Sequence, residues 1–548
     1  MPDRLVAVND ADYRFPEPVR EALATDFSRA DELVINVSRF STVQDAIDAA
    51  PEGATLYFPP SMSPVAVPAG GFTLKSNNLT IDAMGVEFQV SNWGTPAFLA
   101  LRSNGGGDGH TFRIGMVRYV GTRGTHTGAA IRGSAPYNSG CGVWANGDRN
   151  FIEYMRTDGM PTPIFFSSWD GTGPYDRTGV ANRIGYLEAT RYNFALLYVK
   201  QDAFDWGDAY CHEDLDDSSG TNPTHAIYGS GDAGARALSG VIGKWYTVDN
   251  VKGAAYQIKY SDNVTFGNLI AERCGGLASF QNVDGIKGNI LSGTKLSAAP
   301  TGARQVEFVG ANFCRRVSVA EIAVDSVAGV DSLGLSVFAN DMVSIGNVSI
   351  STQHSSGINS ASAEVELRGG GNNNIAQINI EAKGGIVKPV RLGNGTDAGK
   401  AAGWTLPKIR SVGNGASNDA IPVEELAHSH SNAWGDGGGY LAGAAPTRGI
   451  YRRNMRWENS APAVGAPRGW RQTANGALSS ATWAASTAVA AGVWWKLADG
   501  RVIRYVAAGT TGATEPNPST VGATGSDGTA SWEYMSPTSA TVASDGNL

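Results

Sequence analysis

The chain has 548 residues, a formal net charge of −8, 17% charged residues and 70 glycines. This length exceeds one ordinary core, and the acid excess leaves no basic face of the kind that phosphate neutralisation requires, which excludes a nucleic-acid scaffold. Cys141, Cys211, Cys274 and Cys314 are scattered, with no Cys-x-x-Cys pair and no metal-like spacing, so they read as buried free thiols. The start, Met1-Pro2-Asp3-Arg4-Leu5, lacks the charged and apolar regions of a secretion leader, and no apolar run is long enough to span a bilayer; the expectation is a chain folded in a cytosol.

Residues 1–32 are read as an N-terminal arm or neck, followed by a capped helix. Ser41-Thr42-Val43-Gln44 has the Ser-x-x-Gln spacing of a capping box, and Val43, Ala46, Ile47 and Ala50 share one helical face. Such a helix can plug the end of a solenoid. The next strand, Thr55-Leu56-Tyr57-Phe58, is closed by Pro59 and Pro60.

Through the middle a short phrase recurs around a glycine: Ile184-Gly185-Tyr186-Leu187, Trp206-Gly207-Asp208-Ala209, Ile242-Gly243-Lys244-Trp245, Phe266-Gly267-Asn268-Leu269, Lys287-Gly288-Asn289-Ile290 and Ile345-Gly346-Asn347-Val348. The copies lie roughly 20 to 36 residues apart, a period of stacked repeats, once Val319-Ala320-Glu321-Ile322 is admitted as a copy without glycine. A second phrase follows each: Leu197–Lys200, His225–Tyr228, Tyr256–Lys259, Ala278–Gln281, Val306–Val309 and Val365–Arg368. Turns rich in Asn, Asp and Gly separate them, with no long amphipathic helix between. Parallel strands whose crossovers are too short for helices predict an all-β fold, a right-handed parallel β-helix over residues 33–425.

From about residue 426 the texture changes. A linker, 426–470, holds His428 and His430, which could bind a metal but read more simply as exposed linker residues, and the basic-aromatic run Tyr451–Trp457. Residues 471–548 predict a small β module. Six of the thirteen tryptophans fall after residue 456, and Trp483, Trp494, Trp495 and Trp532 can serve either as its core or as a carbohydrate-binding platform.

The helix at residues 43–50, the strand ending in Phe58-Pro59-Pro60 and the repeats resemble the pectate-lyase-like β-helix superfamily. Ala463–Trp470, with Pro467-Arg468-Gly469-Trp470, resembles the segment that follows the rod in bacteriophage tailspikes. These resemblances imply a homotrimeric virion protein, attached through its N-terminus to other tail proteins, folded in the host cytoplasm and acting at the host surface on capsule or O-antigen polysaccharide. No cofactor is implied.

Strand alternation places the chemistry. With Leu187, Ala209, Trp245, Leu269 and Ile290 inward, one outward ladder is Tyr186, Asp208, Lys244, Asn268 and Asn289, and the next is Glu188, Tyr210, Tyr246, Ile270 and Leu291. In the second phrase the outward followers are Lys200, Tyr228, Lys259 and Gln281. Glu188 and Asp208 are one turn and two residues apart, which combines to about 8 Å and suits an inverting glycosidase. Asp205 is a third acid, which strict alternation turns to the other face. The run Cys211–Gly220, with Glu213 and Asp214, reads as an inserted loop that could be solvated, a catalytic wall or a calcium site; a loop with Trp169 lies upstream. Elimination from a uronate would instead use Lys259, His225 and Tyr228. The pairing of His225-Ala226-Ile227-Tyr228 with Ile258-Lys259 resembles an arrangement in some β-helix proteins of that superfamily, although His225 can equally point into the core. Three activities remain open: hydrolysis, elimination, or glycan binding without cleavage by the C-terminal aromatics.

Overall fold

In the computed structural model, residues 33–544 are described with breaks, the longest continuous stretches being 33–122, 140–167, 178–215, 239–297 and 481–519. The fold is a parallel β-helix with a short N-terminal helix and a small C-terminal antiparallel β module. The chain divides into two compact units, Met1–Gly275 and Gly276–Leu548.

In the first unit the helix spans Val43–Ala49, with Ala46 and Ile47 fully buried. Its cap is Thr42, one residue later than expected, whose hydroxyl accepts from Asp45 N. Gln44 is therefore released from the capping box. Its side-chain amide donates to Thr73 O and accepts from Thr73 N, mooring the helix to the strand Phe72–Thr73.

A first sheet stacks Thr80–Val90, Thr111–Tyr119, Phe151–Asp158, Arg183–Tyr192, Phe204–Asp214, Gly240–Val248 and Asp262–Glu272, each parallel to the next. A second sheet stacks Phe98–Ala100, Cys141–Ala145, Thr162–Phe166, Phe194–Val199, His225–Ser230 and Ala254–Lys259. The repeated phrases fall into register. Ile184 pairs with Trp206 and Tyr186 with Asp208, Trp206 with Ile242, and Ile242 with Phe266, so the intervening glycines form one column.

That column has a steric cause. A Cβ on Gly207 would stand 2.5 Å from the carbonyl oxygens of Ile184 and Gly185, and one on Gly243 would stand 2.6 Å from Gly207 O. The phrase also begins earlier than the glycine pattern suggested. Ile114-Gly115-Met116-Val117 and Ile152-Glu153-Tyr154-Met155 are copies with the same sequence of buried and exposed positions. Inside, Ile184, Trp206, Ile242 and Phe266 form one buried column, and Leu187, Ala209, Trp245 and Leu269 another. Trp206 stacks between Phe166 and Phe204, each at 4.8 Å.

In the second unit, Asp284–Leu296, Cys314–Ala328, Leu333–Gln353 and Asn373–Lys383 continue the pattern, and the 21-residue strand Leu333–Gln353 contributes to both of its sheets. Here the phrase slips by one residue. Leu291 rather than Ile290 is buried, and Leu291 pairs with Ile322, because four residues lie between it and the buried Ile286 where two lie between Ile184 and Leu187.

The C-terminal module is antiparallel, with Val502–Ala507 against Trp494–Lys496 and Ala530–Ser536. Its aromatics are core. Trp495, Tyr505, Trp532 and Tyr534 pack in one cluster and Trp494 in another. The Asp527 carboxylate, itself buried, accepts from Trp483 Nε1 at 2.8 Å, Tyr505 Oη at 2.6 Å and Gly512 N at 2.7 Å. Burial, and after it the bond to Asp527, holds the Tyr505 phenol far above its usual range. His428 and His430 lie outside the described residues.

Candidate functional site

Each first-sheet phrase takes a double outward step. Ile184 is buried, Gly185 and Tyr186 both face out, and Leu187 is buried again; Trp206, Gly207, Asp208 and Ala209 do the same. The step resets the alternation. Asp205, placed by strict alternation on the face opposite Asp208, therefore shares the outer face with it, since the next inward residue is Trp206.

Two outward columns cross this face. The first runs Tyr154, Tyr186, Asp208, Lys244; the second runs Arg156, Glu188, Tyr210, Tyr246. Tyr154 and Tyr186 stack at 5.6 Å with rings 16° apart, and Tyr210 and Tyr246 stand 5.8 Å apart. The tyrosines thus change column between the strands Arg183–Tyr192 and Phe204–Asp214. At that crossing the other two positions are Glu188 and Asp208.

These two acids are held differently. Glu188 Oε1 accepts from Arg156 Nη2 at 2.9 Å, and the pair raises the pKa of the guanidinium. Asp208 is exposed; its Oδ1 accepts the Lys244 backbone N–H at 2.8 Å, and among the described residues it has no cationic side-chain partner. Asp205 lies 3.7 Å from Arg183 Nε. Burial, followed by Glu188, raises the Tyr186 phenol. Lys244 is exposed and forms no ion pair among the described residues.

At the far end of the same strands lies a network the sequence did not mark. Tyr246 Oη donates to Glu272 Oε2 at 2.6 Å, which together with burial pushes the phenol up to about 12. Arg273 donates to both Asp249 oxygens, at 2.6 and 2.9 Å, and also pairs with Glu272. The Arg273 bonds hold Asp249 below the usual carboxylate range. His212 Nε2 lies 3.3 Å from Asp249 Oδ2, and the His212 ring is parallel to that of Tyr210. Arg191, Glu213, Asp249 and Arg273 all take positive φ, between 51° and 62°. They are the corner residues of successive turns, where a non-glycine residue in this conformation gives no sequence signal.

The run read as an insertion from Cys211 is strand as far as Asp214. Cys211 is in the core, and Asp214 is buried with its carboxylate accepting from Thr224 Oγ1 at 2.7 Å and Lys252 N at 3.0 Å. Asp214 is a corner brace, and burial raises its pKa. Glu213 is exposed on its corner and makes no ion pair among the described residues. Among the described residues, no group of three or more His, Cys, Asp or Glu is close enough to hold a metal. Trp169 lies outside them.

His225, Tyr228 and Lys259 come together on the second sheet, but in a register two residues from the expected one. Tyr228 pairs with Gln257 and Gly229 with Ile258, so Lys259 reaches Tyr228 diagonally, its Nζ 5.3 Å from the ring centroid. His225 is 2% exposed and stacks on Phe194 and Tyr228. Its Nδ1 donates to Ala254 O at 2.5 Å, and Nε2 has no partner among the described residues. Burial drives its pKa to about 4. Lys200 is a corner residue with φ 50°, just after Phe194–Val199. Gln281, in the second unit, donates to Ser279 Oγ, which donates to Glu307 Oε1 at 2.6 Å.

Comparison with protein-family models and with curated proteins yields no match. Tyr154 and Arg156 escaped the sequence reading because Glu153 replaces the glycine of their phrase. Aligning Ile152-Glu153-Tyr154-Met155 with Ile184-Gly185-Tyr186-Leu187 would have found them.

Proposed function

We propose that the outer face of the first sheet binds a polysaccharide chain and hydrolyses it between the two tyrosine pairs. The observation that carries this reading is the change of column: aromatic platforms, which stack on the apolar faces of sugar rings, lie on both sides of a crossing occupied by two carboxylates. Glu188 and Asp208 are one strand and two residues apart, about 8 Å, which leaves room for the water of an inverting reaction. Asp208, without a cationic partner among the described residues, donates its proton to the glycosidic oxygen as the bond to the anomeric carbon breaks. Glu188 takes a proton from the water whose oxygen attacks that carbon. Asp205 stands beside Asp208 on the same face.

The resemblance of residues 463–470 to the segment that follows the rod in tailspikes, beside that of residues 41–60 to the pectate-lyase-like β-helix superfamily, supplies the setting: a homotrimeric phage tail depolymerase, docked through its N-terminus, acting on capsule or O-antigen. Elimination by His225, Tyr228 and Lys259 is the second reading, favoured by their proximity and opposed by the burial of His225. The non-cleaving adhesin loses its main support, since the C-terminal aromatics that would bind sugar are core residues. Asp208→Asn separates the first two: hydrolysis is lost under the first reading, and cleavage persists under the second.

A further inference from the structure

On the strands of the first sheet the cationic side chains are matched by acids, with one exception. Arg113, Arg118, Arg156, Arg183 and Arg191 each pair with a carboxylate. Lys244 does not: it is exposed and, among the described residues, its ammonium meets no carboxylate. This unmatched charge stands at the proposed cleavage point. Lys244 follows Asp208 in one outward column and holds the Asp208 carboxylate through its backbone N–H, so that contact does not engage the side chain. It also lies two residues before Tyr246 on the strand Gly240–Val248, about 6.6 Å along it, and so borders the Tyr210–Tyr246 platform.

The acids of this face leave that ammonium without a counter-ion during the reaction. In the hydrolase reading Asp208 enters the reaction protonated, and therefore neutral. Glu188 is bound by Arg156, and Asp205 lies beside Arg183. Glu213, which makes no ion pair among the described residues, stands five residues beyond Asp208, about 16 Å along the strand and past the screening length at physiological salt. A sugar stacked on Tyr246 thus meets one uncompensated positive charge at its edge. Lysine is a flexible point charge that binds carboxylate and phosphate alike.

We infer that Lys244 is the specificity-determining residue of this face and that it binds the anionic group, carboxylate or phosphate, of a pyranose stacked on Tyr246. The inference rests on the hydrolase reading but goes further, because that reading is indifferent to the charge of the sugar.

The test uses the full chain and bacterial polysaccharides grouped as neutral, uronate-bearing and phosphate-bearing, following reducing ends and the ultraviolet absorbance of unsaturated uronates. Cleavage should favour the charged groups, and the group that is cut identifies the anion. The same polymer is then neutralised, by carboxyl reduction or by removal of its phosphate, which should raise KM about tenfold, the equivalent of about 1.4 kcal/mol for one lost ion pair. Lys244→Ala should raise KM about tenfold on the charged polymer, with kcat changed less than about twofold, and distinctly less on the neutralised one; Lys244→Arg should recover part of the loss. Neutral polymers cut as well as charged ones, or a rise in KM for Lys244→Ala that is equal on the charged and neutralised forms, overturns the inference while leaving the hydrolase reading intact. Absorbance rising with the reducing ends, or absence of cleavage across all three groups, overturns both.

Discussion

The outer faces of the two sheets in the first unit are built from the same stacked turns and carry opposite chemistry. On the first sheet the outward columns are Tyr154, Tyr186, Asp208, Lys244 and Arg156, Glu188, Tyr210, Tyr246, charged and open. On the second, the column Leu99, Trp144, Phe165, Leu197, Tyr228 is apolar, and from Trp144 onward it is buried. The aromatic rings of the second face are spent on packing; those of the first are spaced by carboxylates. Proximity of reactive side chains therefore means different things on the two faces: His225, Tyr228 and Lys259 meet inside a packed ridge, Glu188 and Asp208 on an accessible one.

The contrast can be broken most sharply by catalysis. Asp208→Asn should lower kcat at least about a hundredfold, the usual minimum for a lost general acid, while Lys259→Ala should change it less than about twofold. The reverse outcome would move the chemistry to the second sheet. Stability should show the opposite order: Phe165→Ala should cost about 3–5 kcal/mol in denaturant unfolding, whereas Tyr186→Ala on the open face should cost distinctly less. Equal losses would mean that the first-sheet tyrosines are core as well.

Acid should act through the buried histidines. His225 and His110 are both lowered to about 4 by burial, so the unfolded chain takes up protons from about 6.5 downward while the folded chain does not until about 4. Stability should then fall as pH drops from 6.5 to 4, by up to about 1.4 kcal/mol per pH unit for each histidine. His225→Gln should flatten the Tm profile in that window; a profile as steep as wild type's would assign the effect elsewhere. The smallest effect concerns the glycine column of the first sheet: Gly207→Ala should cost about 1–3 kcal/mol, since its Cβ would meet two carbonyl oxygens at 2.5 Å. A neutral outcome would mean that the turns can separate to admit it.

How much was legible follows the glycines. Where a Cβ cannot fit between turns, as at Gly185, Gly207, Gly243 and Gly267, the sequence marks the register and hence the outward pair Glu188 and Asp208. The second sheet has no such column, and its register was misjudged by two residues at Tyr228. Asp205 was turned to the wrong face because the double outward step at Gly207 and Asp208 breaks alternation, a feature of local backbone and not of residue type. The run Cys211–Gly220 reads as an inserted loop, solvated, catalytic or calcium-binding, yet at Asp214 a buried carboxylate braced by Thr224 and a backbone N–H has the same letters. Asp249 and Arg273 lie at corners whose positive φ glycine would have announced and they do not.

The most direct measurement is digestion of a panel of bacterial capsule and O-antigen polysaccharides by the wild-type chain and by Asp208→Asn, following reducing ends and the ultraviolet absorbance of unsaturated uronates in the same samples. The account predicts new reducing ends without absorbance from the wild type and none from the variant. Absorbance rising with the reducing ends, or cleavage undiminished in Asp208→Asn, would contradict it.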